Sequence, residues 1–354
     1  MNSKELLNSL IKIIVEEDGS DLHLSVGYNP AVRVHGELFF LQKLNVLSND
    51  DILGVIAELL SSEHKEKFLK EKEIDFSFDA EGARFRGNCF FSQGTVGVSL
   101  RLITKKIKTL AELNLPPILE SFTKKEQGFF LVVGPVGNGK TTTLATMLEI
   151  INQNKAGHIV TVEDPIEYVF EKGKSIVDQR EVEIDTKDFT TALRSVFRQD
   201  ADVLMIGEMR GLETISISVT AAETGHLVFS TLHTNDAAQT IDRIIDVFPS
   251  EQQAQIRTQL AGSLLGVFSQ RLVPRISGGV IPAYELLIKN TAVSNLIREG
   301  RTYEIPNVIE TSTREGMISL DRSLSDLVRA GEVTIENAKR YSVQTNSIER
   351  LLGQ

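Results

Sequence analysis

Gly134-Pro135-Val136-Gly137-Asn138-Gly139-Lys140-Thr141 matches the phosphate-cradling pattern Gly-x4-Gly-Lys-Ser/Thr at each constrained position. The run before it, Phe129-Phe130-Leu131-Val132-Val133, reads as a buried strand. Residues 141–151, with Leu144, Met147, Leu148 and Ile151 at helical spacing, read as the helix after it. Strand, loop and helix thus follow in the order the pattern requires. Glycines let backbone N–H groups turn inward onto phosphates, and the helix N-terminus adds its partial positive charge. Lys140 is placed to reach the outer phosphates and Thr141 to hold Mg²⁺. The expected nucleotide contacts are Gly134, Pro135, Val136, Gly137, Asn138, Gly139, Lys140, Thr141 and Thr142. A nucleoside triphosphate with Mg²⁺ is the ligand this pattern implies.

Working outward, 354 residues accommodate two domains, and 41% hydrophobic with 24% charged residues is ordinary globular material. A net charge of −10 argues against a broad nucleic-acid surface, which needs a basic footprint. The single cysteine, Cys89, excludes an intramolecular disulfide and any four-cysteine zinc site, and reads as a small apolar strand residue. No apolar run reaches bilayer-spanning length, and Glu5, Lys12, Glu16 and Glu17 interrupt any signal-like start, so a cytoplasmic protein is expected. Leu6, Leu7, Leu10, Ile11, Ile14 and Val15 form one apolar helical face, with Gly19 as the expected C-cap. A membrane-surface helix is the alternative there, disfavoured by its acidic polar face.

From residue 21 to about 102, strand-like runs (22–24, 31–34, 37–41, 75–78, 84–91, 97–103) surround a helical middle at 50–70, the pattern of a small α+β domain over 1–104. Residues 105–117, with Lys105, Lys106, Lys108, Pro116 and Pro117, read as a linker. Over 118–354 strands (159–162, 203–206, 227–230, 266–272, 281–287) alternate with helices near 187–198, 212–223, 236–246 and 250–264. This predicts a largely parallel sheet covered by helices, ending in a helical segment from 292 onward.

A phosphate loop needs acidic partners at neighbouring strand ends, one to hold the metal and one to activate water. Ile206-Gly207-Glu208 and Val162-Glu163-Asp164-Pro165 supply two candidates, and composition leaves open which glutamate does which. His226 and His233 flank the strand between them; either could donate an N–H to a phosphate, or both could be satisfied by backbone carbonyls. Arg194 and Arg198, four apart on a predicted helix, and Arg84, Arg86 and Arg101 in the first domain are candidate charge stabilisers or surface salt-bridge partners.

Together these stretches, with Gln179-Arg180-Glu181-Val182, Glu208-Met209-Arg210, Thr224-Gly225-His226, Leu232-His233-Thr234-Asn235 and Asn295-Leu296-Ile297-Arg298-Glu299-Gly300, resemble the secretion ATPase superfamily, and within it the type IV pilus retraction ATPases. The resemblance spans nearly the whole chain. It implies a RecA-like P-loop NTPase (α/β) domain with a smaller N-terminal PAS-like α+β domain, assembled as a homohexamer that hydrolyses ATP to drive pilin removal in twitching motility. It also implies an inner-membrane pilus platform protein as partner, a homologous accessory ATPase as a further one, and a peripheral location on the inner face of the cytoplasmic membrane.

By the family pattern Glu163 is the catalytic glutamate, Glu208 the Walker B glutamate and metal partner with Thr141, and His226 and His233 the histidine box, with His233 facing phosphate. Arg86 and Arg101 match arginines that the family's N-terminal domain lends to the nucleotide. Three departures stand out: Asn138 for the usual loop serine, a position read as offering mainly backbone; Gly211 for an aspartate, read as a lost salt bridge; and Ala292-Val293-Ser294 for Ala-Ile-Arg. The absent zinc insert favours retraction over extension. The rival reading is an accessory or regulatory nucleotide-binding ring protein with little hydrolysis. A nucleic-acid translocase comes third, because the chain is acidic.

Overall fold

The computed structural model describes residues 2–17, 19–34, 36–103, 106–343 and 345–352. It divides into two compact units, Met1–Lys106 with Glu167–Val169, and Ile107–Ile166 with Phe170–Gln354. The sequence-based boundary residues Thr104 and Lys105 lie outside the described residues, as do the terminal positions 353 and 354.

In the first unit β1 (Asp21–Ser25), β2 (Ala31–Val34), β3 (Glu37–Phe40), β4 (Glu73–Ala80), β5 (Ala83–Ser92) and β6 (Thr95–Ile103) form an antiparallel sheet in the order β3-β2-β1-β6-β5-β4. Helix α1 (Ser3–Glu16) starts on a capping box between Asn2 and Glu5. It buries Leu7, Leu10, Ile11 and Ile14 in a core shared with Leu22, Leu24, Ile52, Phe85 and Cys89, so its apolar face is consumed inside its own unit. Burial pushes the Cys89 thiol up to about 12, as befits an inert core residue. Two sequence expectations change. Glu17, not Gly19, caps α1; Gly19 is needed because a Cβ there would lie 2.8 Å from Val32 Cγ1 and 2.9 Å from Ile14 Cγ1. The single helical middle is two helices, α2 (Asn49–Leu59) and α3 (Ser62–Glu71), because Ser61 accepts the His64 N–H and caps a new helix.

In the second unit β7 (Gly128–Val133), β8 (His158–Glu163), β9 (Ile176–Glu181), β10 (Val203–Ile206), β11 (Leu227–Leu232), β12 (Leu264–Pro274) and β13 (Val280–Ile288) run in the order β13-β12-β7-β11-β10-β8-β9. Every neighbouring pair is parallel except β12 with β13. Phe129, Leu131 and Val133 enter one core and Phe130 and Val132 the other, the period of two that a strand imposes. Both faces are covered, which is why β10 and residues 129–133 of β7 read as unbroken apolar runs; β11 is as fully buried but carries Ser230 and Thr231, whose hydroxyls donate to the Ile206 and Gly207 carbonyls. β9 escapes a sequence reading because it is an edge strand whose last four residues, Asp178-Gln179-Arg180-Glu181, are all polar, and its Ile176 is 67% exposed.

The helices are α4 (Glu120–Thr123), α5 (Lys140–Asn154), α6 (Phe189–Val196), α7 (Leu212–Glu223), α8 (Ala237–Asp246), α9 (Ser250–Ser263), α10 (Thr291–Glu299), α11 (Ile305–Thr311), α12 (Leu320–Arg329), α13 (Ile335–Tyr341) and α14 (Thr345–Leu352). Within the stretch that reads as a linker, Leu110 and Leu115 are buried in the second unit's core and Pro117 opens a short 3-10 turn. Among the described residues no helix is long and apolar enough to cross a membrane.

Candidate functional site

Parallel register brings the chemistry to one rim of the second sheet. Val133 at the end of β7 lies beside Leu232 of β11 and Ser269 of β12, so the phosphate loop, His233 and Gln270 begin together in the next row. Ile206 lies beside Val162 and Ser230, which sets Glu163 and Glu208 at adjacent strand ends along the same rim.

The loop's shape depends on glycine at two places. Gly134 has φ +143°, and a Cβ there would sit 2.3 Å from the Gln270 carbonyl; Gly139 has φ +74° and forms the N-cap of α5. Asn138 does more than its sequence position suggests. Its Nδ2 donates to the Pro135 and Val136 carbonyls at 3.2 Å each, and its Oδ1 accepts the Leu272 N–H at 2.8 Å, so the side chain staples the loop to β12. Gln270, 3% exposed, completes the staple, donating to the Asn138 carbonyl at 2.7 Å and accepting the Thr143 hydroxyl at 2.7 Å. Nothing in the sequence singled Gln270 out, because a glutamine inside a strand carries no motif.

Lys140 is buried, and its ammonium donates to the Gly134 and Pro135 carbonyls, both at 2.9 Å. His233 Nδ1 lies 3.3 Å from the same ammonium, and His233 Nε2 lies 3.4 Å from Glu208 Oε2. An ammonium only donates, so Nδ1 is the acceptor and the imidazole proton sits on Nε2, aimed at Glu208. Arg210 pairs with the other Glu208 oxygen. A continuous polar chain Lys140–His233–Glu208–Arg210 therefore crosses the mouth of the loop.

Glu163, 3% exposed, accepts the Thr161 hydroxyl at 2.6 Å and the Gln179 amide at 3.2 Å on Oε1. Gln179 belongs to the strand the sequence did not reveal, though its motif was noted. Thr141, at the first turn of α5, is half-buried. Among the described residues no group of three or more His, Cys, Asp or Glu could hold a metal ion. One hydroxyl and one carboxylate suit Mg²⁺, which keeps waters and phosphate oxygens as its other ligands.

Other candidates are placed elsewhere. His226 precedes β11 at the opposite edge of the sheet, roughly 20 Å of strand away from His233. Its Nδ1 lies 3.1 Å from the Ala221 carbonyl and its ring meets Phe197 edge-on at 5.6 Å, so within this chain it is not brought to the loop. Arg194 pairs with Glu213, and Arg198 donates to the Arg194 carbonyl at 3.2 Å, the surface alternative. In the first unit Arg86 faces Arg101 directly across β5 and β6, and Arg101 donates to Asp21 at 2.9 Å. Burial alone would raise the Asp21 carboxyl, but the Ser20 hydroxyl and Arg101 outweigh it and hold it low. Like charges opposite one another in a sheet are unfavourable, and an anion over them removes the penalty.

Two departures acquire physical meaning. Gly211 is the N-cap of α7 with no side-chain cap, so what an aspartate would add there is a helix cap. Ser294 is buried on α10 and donates to the Ala261 carbonyl at 3.1 Å, so the altered segment seats α10 against α9.

Comparison with known proteins places these features in context. The model of the family described as type II/IV secretion system protein matches residues 3–280. The type IV pilus retraction ATPase PilT of Pseudomonas aeruginosa is 43% identical over 336 residues, covering 94% of this chain and 97% of that protein. A twitching motility protein of Neisseria gonorrhoeae is 41% identical over 323 residues, covering 90% and 86%. The crystal structure of the pilus retraction motor PilT with bound ADP superposes with a TM-score of 0.91 at 44% identity, covering 97% of this chain and 98% of that one. The second unit is accordingly a RecA-like P-loop ATPase fold carrying an additional N-terminal domain.

Proposed function

The chain belongs to the type II/IV secretion system protein family, among its type IV pilus retraction ATPases, and on that premise we propose an ATP-driven motor of pilus retraction that works as a homohexameric ring. The observation that carries the reading is the polar chain Lys140–His233–Glu208 across the loop mouth, with the buried Glu163 at the neighbouring strand end. ATP is the substrate. Its phosphates lie on the backbone N–H groups of residues 137–142, and they compete with the Gly134 and Pro135 carbonyls for the Lys140 ammonium. Drawing Lys140 toward phosphate frees His233 Nδ1, so the His233–Glu208 pair senses whether the outer phosphate is present.

Glu163 is the general base that takes the proton of the attacking water, its carboxylate held in place by Thr161 and Gln179. Thr141 and Glu208 would hold Mg²⁺, the latter through water, and the ion supplies neutralisation of phosphate charge when bound. Arg86 and Arg101, opposed across β5 and β6 with Arg101 held by Asp21, fit a role on the nucleotide of a neighbouring subunit in the ring. His226 is a supporting residue for the end of α7. The N-terminal unit is read as PAS-like, from an antiparallel sheet with helices packed on it, and the domains as 1–104 and 118–354. The ring works at the inner face of the cytoplasmic membrane on a platform protein.

The test is steady-state ATP hydrolysis across a protein concentration series, with mass followed by light scattering. Turnover appearing together with a six-subunit species supports a ring whose sites are completed between neighbours. An assembled ring that binds ATP without turning it over supports the accessory reading instead.

A further inference from the structure

Glu285 is a buried carboxyl that the chemistry above leaves without a role. It lies on β13 directly opposite Ser269 of β12. Its Oε1 accepts the N–H of Ala237, the first residue of α8, at 2.9 Å. Ser269 donates its hydroxyl to the Asn235 carbonyl at 2.7 Å. Between them this cross-strand pair grips both ends of the Asn235-Asp236-Ala237 turn, two residues beyond His233. Asp236 caps the same helix from the other side by accepting the Gln239 N–H at 2.8 Å, and Thr234 bonds Thr240 at 2.7 Å. β12 therefore serves both nucleotide-facing loops. Gln270 pins the phosphate loop from one face, and its neighbour Ser269 pins the histidine loop from the other.

A carboxylate at a helix N-terminus is favourable, but this one stands in a crowded electrostatic setting. Burial pushes its carboxyl up to about 7; the Ala237 N–H opposes that, Asp236 of the α8 cap adds to it, Arg271 of β12 opposes it and Asp321 of α12 adds to it. Arg271 in turn donates to the Tyr341 carbonyl at the end of α13 at 3.0 Å. The ionised form makes the stronger bond to Ala237 and to the α8 dipole.

We propose that Glu285, together with Ser269, is a positioning residue for ATP hydrolysis: by holding the first turn of α8 it fixes the 233–236 loop, and so keeps the His233 ring between Lys140 and Glu208. The inference rests on the reading of this rim as an ATPase site. It differs from a packing role in what it controls: turnover, not nucleotide affinity, since none of the loop's phosphate-facing N–H groups belongs to α8.

The experiment compares full-length wild type, Glu285→Ala, Glu285→Gln and Ser269→Ala. It measures kcat, KM, affinity for a fluorescent ATP analogue and thermal unfolding, with kcat recorded from pH 6 to 8. Misplacing a catalytic group by about an ångström costs on the order of a hundred-fold in rate, so Glu285→Ala should lower kcat by roughly ten- to a hundred-fold at near-constant analogue affinity. Wild-type kcat should rise as pH increases through neutrality; Glu285→Gln keeps an oxygen for Ala237, so it should retain most of the turnover and lose that rise. Ser269→Ala should lower kcat several-fold and bind the analogue normally. A folded Glu285→Ala with wild-type kcat overturns the inference. If that variant does not fold, wild-type kcat in Ser269→Ala with an unchanged pH profile in Glu285→Gln overturns it equally. A wild-type protein that turns over no ATP, or whose turnover survives Lys140→Ala, defeats the ATPase reading and this inference with it.

Discussion

Replacing Gln270 by leucine removes the amide that ties the phosphate loop to β12 and leaves the space filled. Gln270 is 3% exposed and makes two bonds of 2.7 Å, to the Asn138 carbonyl and from the Thr143 hydroxyl. Thr143 keeps a second acceptor in the Gly139 carbonyl at 3.2 Å, so its hydroxyl is not orphaned. Asn138 is half-buried, so solvent can partly replace the lost donor at its carbonyl. Two bonds at about 1 kcal/mol each give a loss of about 2 kcal/mol. The loop binds phosphate through backbone N–H groups whose directions those bonds set, so the loss falls largely on preorganisation. About 2 kcal/mol corresponds to roughly thirty-fold weaker ATP binding. Titration with a fluorescent ATP analogue, with urea unfolding in parallel, measures both quantities. An affinity within about two-fold of wild type, alongside a lowered unfolding midpoint, would show that Gln270 holds the core and not the loop, refuting the claim that β12 sets the loop's geometry.

Three further outcomes follow from single residues. Gly211 has φ −129° and ψ 162°, with no atom within 4 Å of a built Cβ. Gly211→Asp should therefore add a few tenths to about 1 kcal/mol through a new α7 cap, and unchanged thermal unfolding would contradict this. Asn138→Ser leaves the Leu272 N–H without its 2.8 Å acceptor, so it should cost about 1 kcal/mol in urea unfolding; wild-type stability would show that the staple carries no energy. For Glu285 the folded carboxyl sits at about 7, above an unfolded value near 4.5, so its contribution to stability is complete below pH 4.5 and is lost as pH rises through 7. At about 1.4 kcal/mol per pH unit the loss approaches roughly 3 kcal/mol, so Glu285→Gln should be the more stable protein at pH 8 and should show a flatter stability profile; parallel wild-type and variant profiles would contradict the assignment.

The second unit's core was legible in the sequence because parallel strands covered on both faces carry little polar interruption: 129–133, 203–206 and the start of the strand read at 227–230 announce themselves. The phosphate loop was legible because few backbone conformations cradle phosphate and those need glycine at fixed positions. Glu163, Glu208 and His233 could be named from the residues, but only the family resemblance told their roles apart, since strand ends commonly bear acids; what the fold adds is that the two glutamates stand at adjacent strand ends and that His233 lies between Lys140 and Glu208. β9 was hidden by its polar run Asp178-Gln179-Arg180-Glu181, and with it the hold of Gln179 on Glu163. Ser269, Gln270 and Glu285, and the side-chain role of Asn138, were silent for a different reason. Their partners are far away in sequence, from 34 residues for Ser269 to 134 for Asn138, and only the folded sheet brings them together.

The central claim is that Glu163 is the base of an ATP-hydrolysing site, and Glu163→Gln tests it most directly. The glutamine keeps an Oε1 for the Thr161 hydroxyl and the Gln179 amide, so those two bonds survive while the basic carboxylate is removed. Hydrolysis and ATP affinity should be measured on the assembled protein, wild type beside variant. The account requires normal ATP binding with turnover reduced by at least about a hundred-fold. Turnover at the wild-type rate, with binding intact, would contradict it.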